Sequence, residues 1–240
     1  MCGFFVEFRK KNKAFNKRLF LTNAEKLSHR GPDDSGTIFL ENFSAKFFRL
    51  SILDLSWRGN QPMKSNSERF IILFNGEIYN YKNLRRKYNL KPKSNSDTEI
   101  ILLLFEKNGP KMVNELEGMF SIVIFDSLKN KCHFFRDRFG IKPIYFYSDA
   151  KQFIFASELK GILCHDSINP SISSDSIDLY LTMEYVPAPM TIFNDIYKLE
   201  KGHFLIYNNS RLKKEKWYDI SFTPKQTYKK ENDYVNKLDI

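Results

Sequence analysis

Cysteine is scarce in this 240-residue sequence: Cys2, Cys132 and Cys164 are all there are, with no Cys-x-x-Cys pair. An odd count without paired spacing excludes a disulfide framework and a zinc ribbon, no metal-ligand spacing is present, and a reducing compartment fits. No run approaches the roughly 20 apolar residues that a membrane-spanning helix needs. The opening Met-Cys-Gly-Phe-Phe-Val-Glu is soon followed by charge, unlike a secretory signal. A soluble, cytoplasmic protein without membrane association is therefore expected. Internal repeats, low-complexity segments and nucleic-acid-binding motifs are lacking too, although 38 Lys and Arg against 28 Asp and Glu give a formal net charge of +10. The basic residues are spread along the chain, clustering at 9–18 and 211–216, and read mostly as solvated faces, so nucleic acid is not an expected partner.

Aromatic residues are plentiful, with 23 Phe and 12 Tyr, and apolar residues make up 42% of the chain in many short runs. Short runs rich in Phe and Ile favour packed sheets over a helical bundle, in one large domain. Strands are expected at 2–8, 37–40, 45–50 and 70–75, then at 119–126, 132–137, 144–147 and 153–156, and finally at 196–199 and 203–207. A helix is expected at 15–27, ended by Gly31-Pro32. The clearest helix follows Ser96-Asp97-Thr98-Glu99, which has capping-box spacing, and runs to Gly109-Pro110. Ser157 is read as the cap of a short helix to Leu163, and Ser174 as the cap of another to about Met183. After Asn208 the chain turns basic and polar, and 226–240 reads as the opening of a helix whose packing partner is not in this sequence.

The chemistry starts at Cys2. Removal of Met1 would place a thiol and a free α-amine on one residue, and the amine can serve as the thiol's base. Their ordinary values, about 8.5 and roughly 7.7–8.0, are close enough for proton transfer near neutral pH. By itself a cysteine at a strand start is more often a small apolar residue, and Asn75-Gly76 alone is a hairpin-turn signal.

Further motifs change that weighting. They are Met1-Cys2-Gly3, His29-Arg30-Gly31-Pro32-Asp33-Asp34-Ser35-Gly36, Arg49-Leu50-Ser51-Ile52-Leu53-Asp54 and Asn75-Gly76-Glu77-Ile78-Tyr79-Asn80. Ser96-Asp97-Thr98-Glu99, Arg136-Asp137-Arg138-Phe139-Gly140-Ile141-Lys142-Pro143 and Ala156-Ser157-Glu158-Leu159-Lys160 follow. In this order they resemble class II glutamine amidotransferases, and within them the glutaminase domain of asparagine synthetase, over residues 1–207. Residues 208–240 then read as a linker and the start of a synthetase domain.

The resemblance implies an α+β, N-terminal-nucleophile hydrolase fold: a four-layer αββα sandwich of two antiparallel sheets. It implies Cys2 as nucleophile, with the Asn75 side-chain amide and the Gly76 N–H as oxyanion hole. It also implies Arg49 for the glutamine α-carboxylate, Asp97 and Glu77 for its α-ammonium, and backbone around Leu50 and Ile52 shaping the pocket. L-Glutamine is the implied substrate, and a synthetase domain or subunit the implied receiver of ammonia; a homodimer is a further open alternative. No cofactor is expected in this chain, since the Ser-Gly-Gly-x-Asp loop that binds ATP in the synthetase domain is lacking, and ATP and Mg belong to that domain. Amidation of an acidic sugar and a purely supporting, non-catalytic role are the competing readings. Arg30 is left between substrate and its own loop, the histidines read as structural, and the charges of 136–143 read as pairing among themselves to fix a strand connection. Departures from the family pattern at Val6 and Phe48 bear on packing, and Cys132 and Cys164 read as core thiols.

Overall fold

The computed structural model describes residues 1–10, 15–208 and 211–221, together with Asn232 and Val235. The helix expected over 226–240 otherwise lies outside the described residues. In chain order the elements begin with β1 (Gly3–Arg9), α1 (Lys17–Glu25), β2 (Asp34–Phe39), β3 (Phe43–Arg49), β4 (Met63–Lys64) and β5 (Phe70–Ile78). Next come α2 (Tyr81–Lys87), α3 (Asp97–Asn108), β6 (Gly118–Asp126), β7 (Lys131–Arg136), β8 (Tyr145–Ser148) and β9 (Gln152–Ala156). The remainder is α4 (Leu159–Leu163), α5 (Ser174–Met183), β10 (Ile196–Lys198), β11 (His203–Asn208) and β12 (Arg211–Lys216).

These strands form two six-stranded sheets, ordered β10-β8-β9-β1-β3-β2 and β12-β11-β7-β6-β5-β4, with antiparallel pairing throughout. Strand β1 lies centrally, and all seven of its residues are buried. Alternation explains why: Phe4, Val6 and Phe8 enter the core between the sheets, while Phe5 enters a second core on the outer face. Burial on both faces replaces the half-polar alternation of a sheet that meets water on one side.

The core between the sheets joins Phe4, Val6, Phe43 and Phe47 to Leu73, Val123, Phe125 and Phe134. Its rings interlock closely, as where Phe43 stacks on Phe125 at 4.3 Å. The outer core of the first sheet packs Phe5, Phe48 and Ile154 against Phe20, Ala24 and Leu27 around α1 and against Ile162 of α4. The outer core of the second sheet packs Ile72, Phe74 and Ile122 against Leu84 of α2 and Ile100, Ile101 and Leu104 of α3. Helices, sheet, sheet and helices are therefore the four layers. Both departures from the family pattern fill cores, Val6 between the sheets and Phe48 beneath α1.

Several expectations are corrected by the structure. Ser157 caps no helix: its Oγ accepts the Phe4 N–H at 3.1 Å and its own N–H donates to the Phe4 carbonyl at 3.1 Å, prolonging the β9–β1 pairing. Helix α4 starts from Glu158, whose side chain makes no cap. Helix α5 is capped by Ser173, with Ser174 its first residue. At α3, the Ser96 side chain accepts from Thr98 N–H as a cap should, but Glu99 reaches past the box to the N–H groups of Lys93 and Ser94. Cys164 is exposed, and Cys132 alone of the later cysteines is a core thiol. Arg9 is buried, with its guanidinium on the Leu40 carbonyl and Ser44 Oγ, so it belongs to no solvated face.

The boundary expected after residue 207 falls inside a hairpin, since β11 pairs with β12 from His203↔Lys216 to Asn208↔Arg211. The basic cluster 211–216 is this strand, whose lysines line a sheet edge and discourage further pairing. Helix α2 and strand β4 were not anticipated. The first is short and basic, and the second has two residues, so neither carries a readable apolar period.

Candidate active site

One cavity of about 160 Å³ is lined by Cys2, Arg49, Leu50, Ile52, Asn75, Gly76, Glu77 and Asp97, all eight of the residues singled out by sequence. Met1, Asp54, Gly59, Gln61, Thr98, Met119 and Lys142 also line it. The two sheets supply its walls: Cys2 precedes β1, Arg49 ends β3, and Asn75 to Glu77 lie near the end of β5.

The Cys2 sulfur sits against Leu50. Leu50 N–H approaches Sγ at 3.3 Å, and Sγ lies 3.5 Å from the Leu50 carbonyl oxygen. Burial pushes the thiol up, and the Leu50 contact, the amino terminus, Arg49 and Arg30 oppose that rise. Behind the sulfur, Arg30 donates Nε–H to the Cys2 carbonyl at 2.9 Å and Nη1–H to Glu158 Oε1 at 2.7 Å. His29 Nε2 also meets Glu158 Oε1 at 3.1 Å, and Lys160 Nζ meets Oε2 at 3.2 Å. Burial alone would raise the Glu158 carboxyl, but the hydrogen bonds from Arg30, His29 and Lys160 outweigh it and hold it at about 2. Arg30 thus anchors the start of β1.

Strand β5 presents two donors. Asn75 is buried, and its Nδ2 has no hydrogen-bond partner among the described residues, an uncommon state for a buried amide and one that costs stability. Along the same strand the N–H groups alternate in direction. Phe74 N–H donates to Gln61 Oε1 at 2.6 Å and Ile78 N–H to Asp97 Oδ2 at 2.9 Å, both on the side away from β6. The Gly76 N–H lies between them on that side and meets no acceptor among the described residues. Glycine is required there by close approach, because a Cβ would stand 2.1 Å from the Met119 carbonyl oxygen on β6.

Arg49 is held by the loop that follows it. Its guanidinium donates to the Ser56 carbonyl at 2.9 Å, to Asn60 Oδ1 and to the Asp54 carbonyl. Three of its five N–H groups are committed in this way. Gly59 permits the wrap, since a Cβ there would lie 2.4 Å from Arg49 Nη2. Asp54 ties this loop to the approach of α3, its Oδ2 accepting Asn95 N–H at 2.8 Å. Burial opposes ionisation of Asp54, but Ser56, Asn95 and Arg49 together hold its carboxyl below the usual range.

Asp97 stands at the first position of α3, buried under the end of β5. Burial pushes its carboxyl up to about 6, with Glu77 adding to the rise, against the hydrogen bonds from Ile78 and Thr98 N–H. A carboxylate at a helix N-terminus would ordinarily be favoured by the dipole, so desolvation is the larger effect here. Glu77 and Asp97 make part of the cavity lining acidic, and Arg49 lines the same cavity. Asp54, Gln61 and Lys142 were not singled out from sequence. Asp54 was legible as an Asp-x-Ser turn, whereas Gln61 and Lys142 reach the site only through the fold.

Stacked antiparallel sheets between helical layers, with a cysteine immediately before a central strand, define the N-terminal-nucleophile hydrolase type of fold. The comparisons agree. The fold matches the allosteric regulatory enzyme of purine biosynthesis at a TM-score of 0.67 and 15% identity, over 90% of this chain and 49% of that one. It matches the glutamine phosphoribosylpyrophosphate amidotransferase of Bacillus subtilis at 0.62 and 16%, over 90% and 49%. The family model for a glutamine amidotransferase domain matches residues 1–218, and the chain belongs to that family. A putative glutamine-hydrolyzing asparagine synthetase 2 of Methanocaldococcus jannaschii is 41% identical over 213 residues, 80% of this chain and 41% of that protein. Asparagine synthetase 1 of Bacillus subtilis is 32% identical over 95% of this chain and 37% of its own length. Asparagine synthetase B of Escherichia coli is 36% identical over 68% and 30%. The chain spans about two fifths or less of these relatives.

Proposed function

We propose that this domain hydrolyses L-glutamine to glutamate and ammonia through a γ-glutamyl thioester on Cys2, and that the ammonia passes to an ATP-dependent asparagine synthetase domain. The observation that carries the reading is the Cys2 sulfur sharing one cavity with the unpaired Asn75 amide and the open Gly76 N–H. A buried amide donor without an acceptor is costly at rest, and it and an adjacent open backbone N–H are useful where an oxyanion forms. In the chain with Met1 in place the Cys2 nitrogen is an amide. Removal of Met1 by peptide hydrolysis supplies the amine.

In the processed chain the Cys2 α-amine takes the thiol proton, and the sulfur bonds to the glutamine side-chain carbonyl carbon. The carbonyl π pair moves to oxygen, where Asn75 Nδ2–H and Gly76 N–H hold it. Collapse breaks the carbon–nitrogen bond, and the departing amide nitrogen takes the proton from the Cys2 ammonium and leaves as ammonia. Water then gives one proton to the α-amine and attacks the thioester, and thiolate departs with glutamate released. Glutamine is selected at its far end. The two uncommitted N–H groups of Arg49 can receive the α-carboxylate, and Asp97 with Glu77 can receive the α-ammonium.

The acceptor is inferred from the relatives, several of which carry the name asparagine synthetase. The test is ammonia release from glutamine by the Met1-processed chain. Cys2→Ala with intact folding should abolish it and the acid-stable glutamyl adduct of the thiol; release at the unmodified rate would sink the mechanism. Asparagine formation on adding an ATP-dependent synthetase domain tests the acceptor separately.

A further inference from the structure

The turn Arg136 to Pro143 contributes nothing to the steps above, yet it is bound unusually tightly. The buried Asp137 carboxylate accepts four backbone N–H groups, from Phe120 at 3.2 Å, Phe139 at 3.0 Å, Ile141 at 2.9 Å and Lys142 at 2.9 Å. Arg136 clasps the same turn from the other side, donating to the carbonyls of Lys142 at 3.0 Å, Gly140 at 2.6 Å and Leu199. Neither side chain pairs with the other; each is spent on the backbone of the turn. Such a clasp fixes where the turn points its next side chain.

That side chain is Lys142, buried and lining the same cavity as Cys2. Its Nζ forms no ion pair among the described residues, and the one partner found there is the Met1 thioether sulfur, 3.1 Å away. Thioether sulfur is a weak acceptor, and buried lysines are ordinarily paired. Removal of Met1, on which the proposed function rests, takes even that partner away. The charged groups facing Lys142 are then Cys2 with its amine just before β1, Arg30 behind it, Glu77 on β5 and Asp137 in its own turn. Arg49, Asp54 and Asp97 border the same cavity.

The geometry points to Lys142 as a positioning residue for the Cys2 nucleophile, its ammonium holding the sulfur as thiolate and disfavouring a proton on the adjacent α-amine. A fixed cation near both groups acts on them in the same sense: it favours the anionic sulfur and the neutral amine. Burial with Arg30 alongside lowers the Lys142 ammonium itself, while Asp137, Cys2 and Glu77 work to keep it charged. The clasped turn is thereby given a purpose, since a cation that must act at close range has to be held still. This deepens the proposed function and depends on Cys2 as nucleophile.

The experiment is the pH dependence of Cys2 alkylation by iodoacetamide on the Met1-processed chain, without glutamine, for the unmodified protein, Lys142→Gln and Lys142→Arg. Loss of the cation should move the alkylation midpoint up by about 1 pH unit, with Lys142→Arg restoring most of the shift. In glutamine hydrolysis Lys142→Gln should lower kcat at neutral pH with KM little changed. An unmoved midpoint in folded Lys142→Gln overturns the inference, as does a rise in KM alone, which would make Lys142 a substrate contact. Should Lys142→Gln not fold, the same titration on Lys142→Met decides in the same way. Glutamine hydrolysis by the unmodified protein with an unmoved midpoint removes this inference alone, whereas absence of hydrolysis removes the proposed function.

Discussion

The Nε–H of Arg30 lies 2.9 Å from the carbonyl oxygen of Cys2, so the start of the central strand is fixed by a side chain 28 residues further on. Glu158 in turn fixes Arg30 at 2.7 Å. Replacing Glu158 with Gln leaves Arg30 buried with a weakened partner and should cost on the order of 1–3 kcal/mol of stability near neutral pH. The sign with pH follows from the carboxyl being held at about 2. A depressed folded value stabilises fully above the unfolded value of about 4.3 and is lost as pH falls through it towards 2. Denaturant unfolding at pH 7 and pH 2.5 should show the gap between the unmodified protein and Glu158→Gln closing at the lower pH. A gap that stays constant would assign the loss to packing.

Asn75 should behave unlike an ordinary buried polar residue. Its Nδ2 makes no bond among the described residues, so Asn75→Ala removes an unsatisfied donor and should leave thermal stability nearly unchanged. Turnover should nevertheless fall by about 10²–10³ with KM little altered, because the donor acts only as charge develops. Steady-state kinetics beside a melting curve separates the two effects.

Asp97 is expected to set the pH dependence of the proposed glutamine binding. Its carboxyl is pushed up to about 6 by burial, so below that pH it loses the charge proposed to hold the glutamine ammonium. KM should rise as pH falls through about 6, while the rate of Cys2 alkylation should not follow the same curve. Asp97→Asn should show a high KM that no longer varies over that range. For stability the sign is the reverse of Glu158: a raised folded value makes the folded protein gain relative stability as pH falls from about 6 to 4.

Much of this was legible in sequence, and the reasons differ by residue. Strands were readable wherever apolar residues recur in short runs, as in β1 and β6, because burial on both faces favours apolar residues at most positions. The sequence motifs place all eight named residues around one cavity, since each motif sits at a strand end or helix start whose position the fold dictates. Ser157 was misread because Ser before a helix is a cap signal, whereas here its hydroxyl pairs with Phe4 across 153 residues of sequence. Gln61 escaped notice for a similar reason: its amide stands in for a strand neighbour of Phe74, a service no local pattern announces. Lys142 looked like one charge among several in a turn until the fold set it beside Met1.

Strand β5 keeps one amide open between two that are closed by Gln61 and Asp97. Hydrogen exchange should therefore find a single quick-exchanging proton, that of Gly76, within an otherwise slow stretch of the second sheet. Filling the cavity with glutamate should silence that signal while its neighbours stay as they were, so the empty and occupied states of the site differ at one backbone nitrogen that can be read directly.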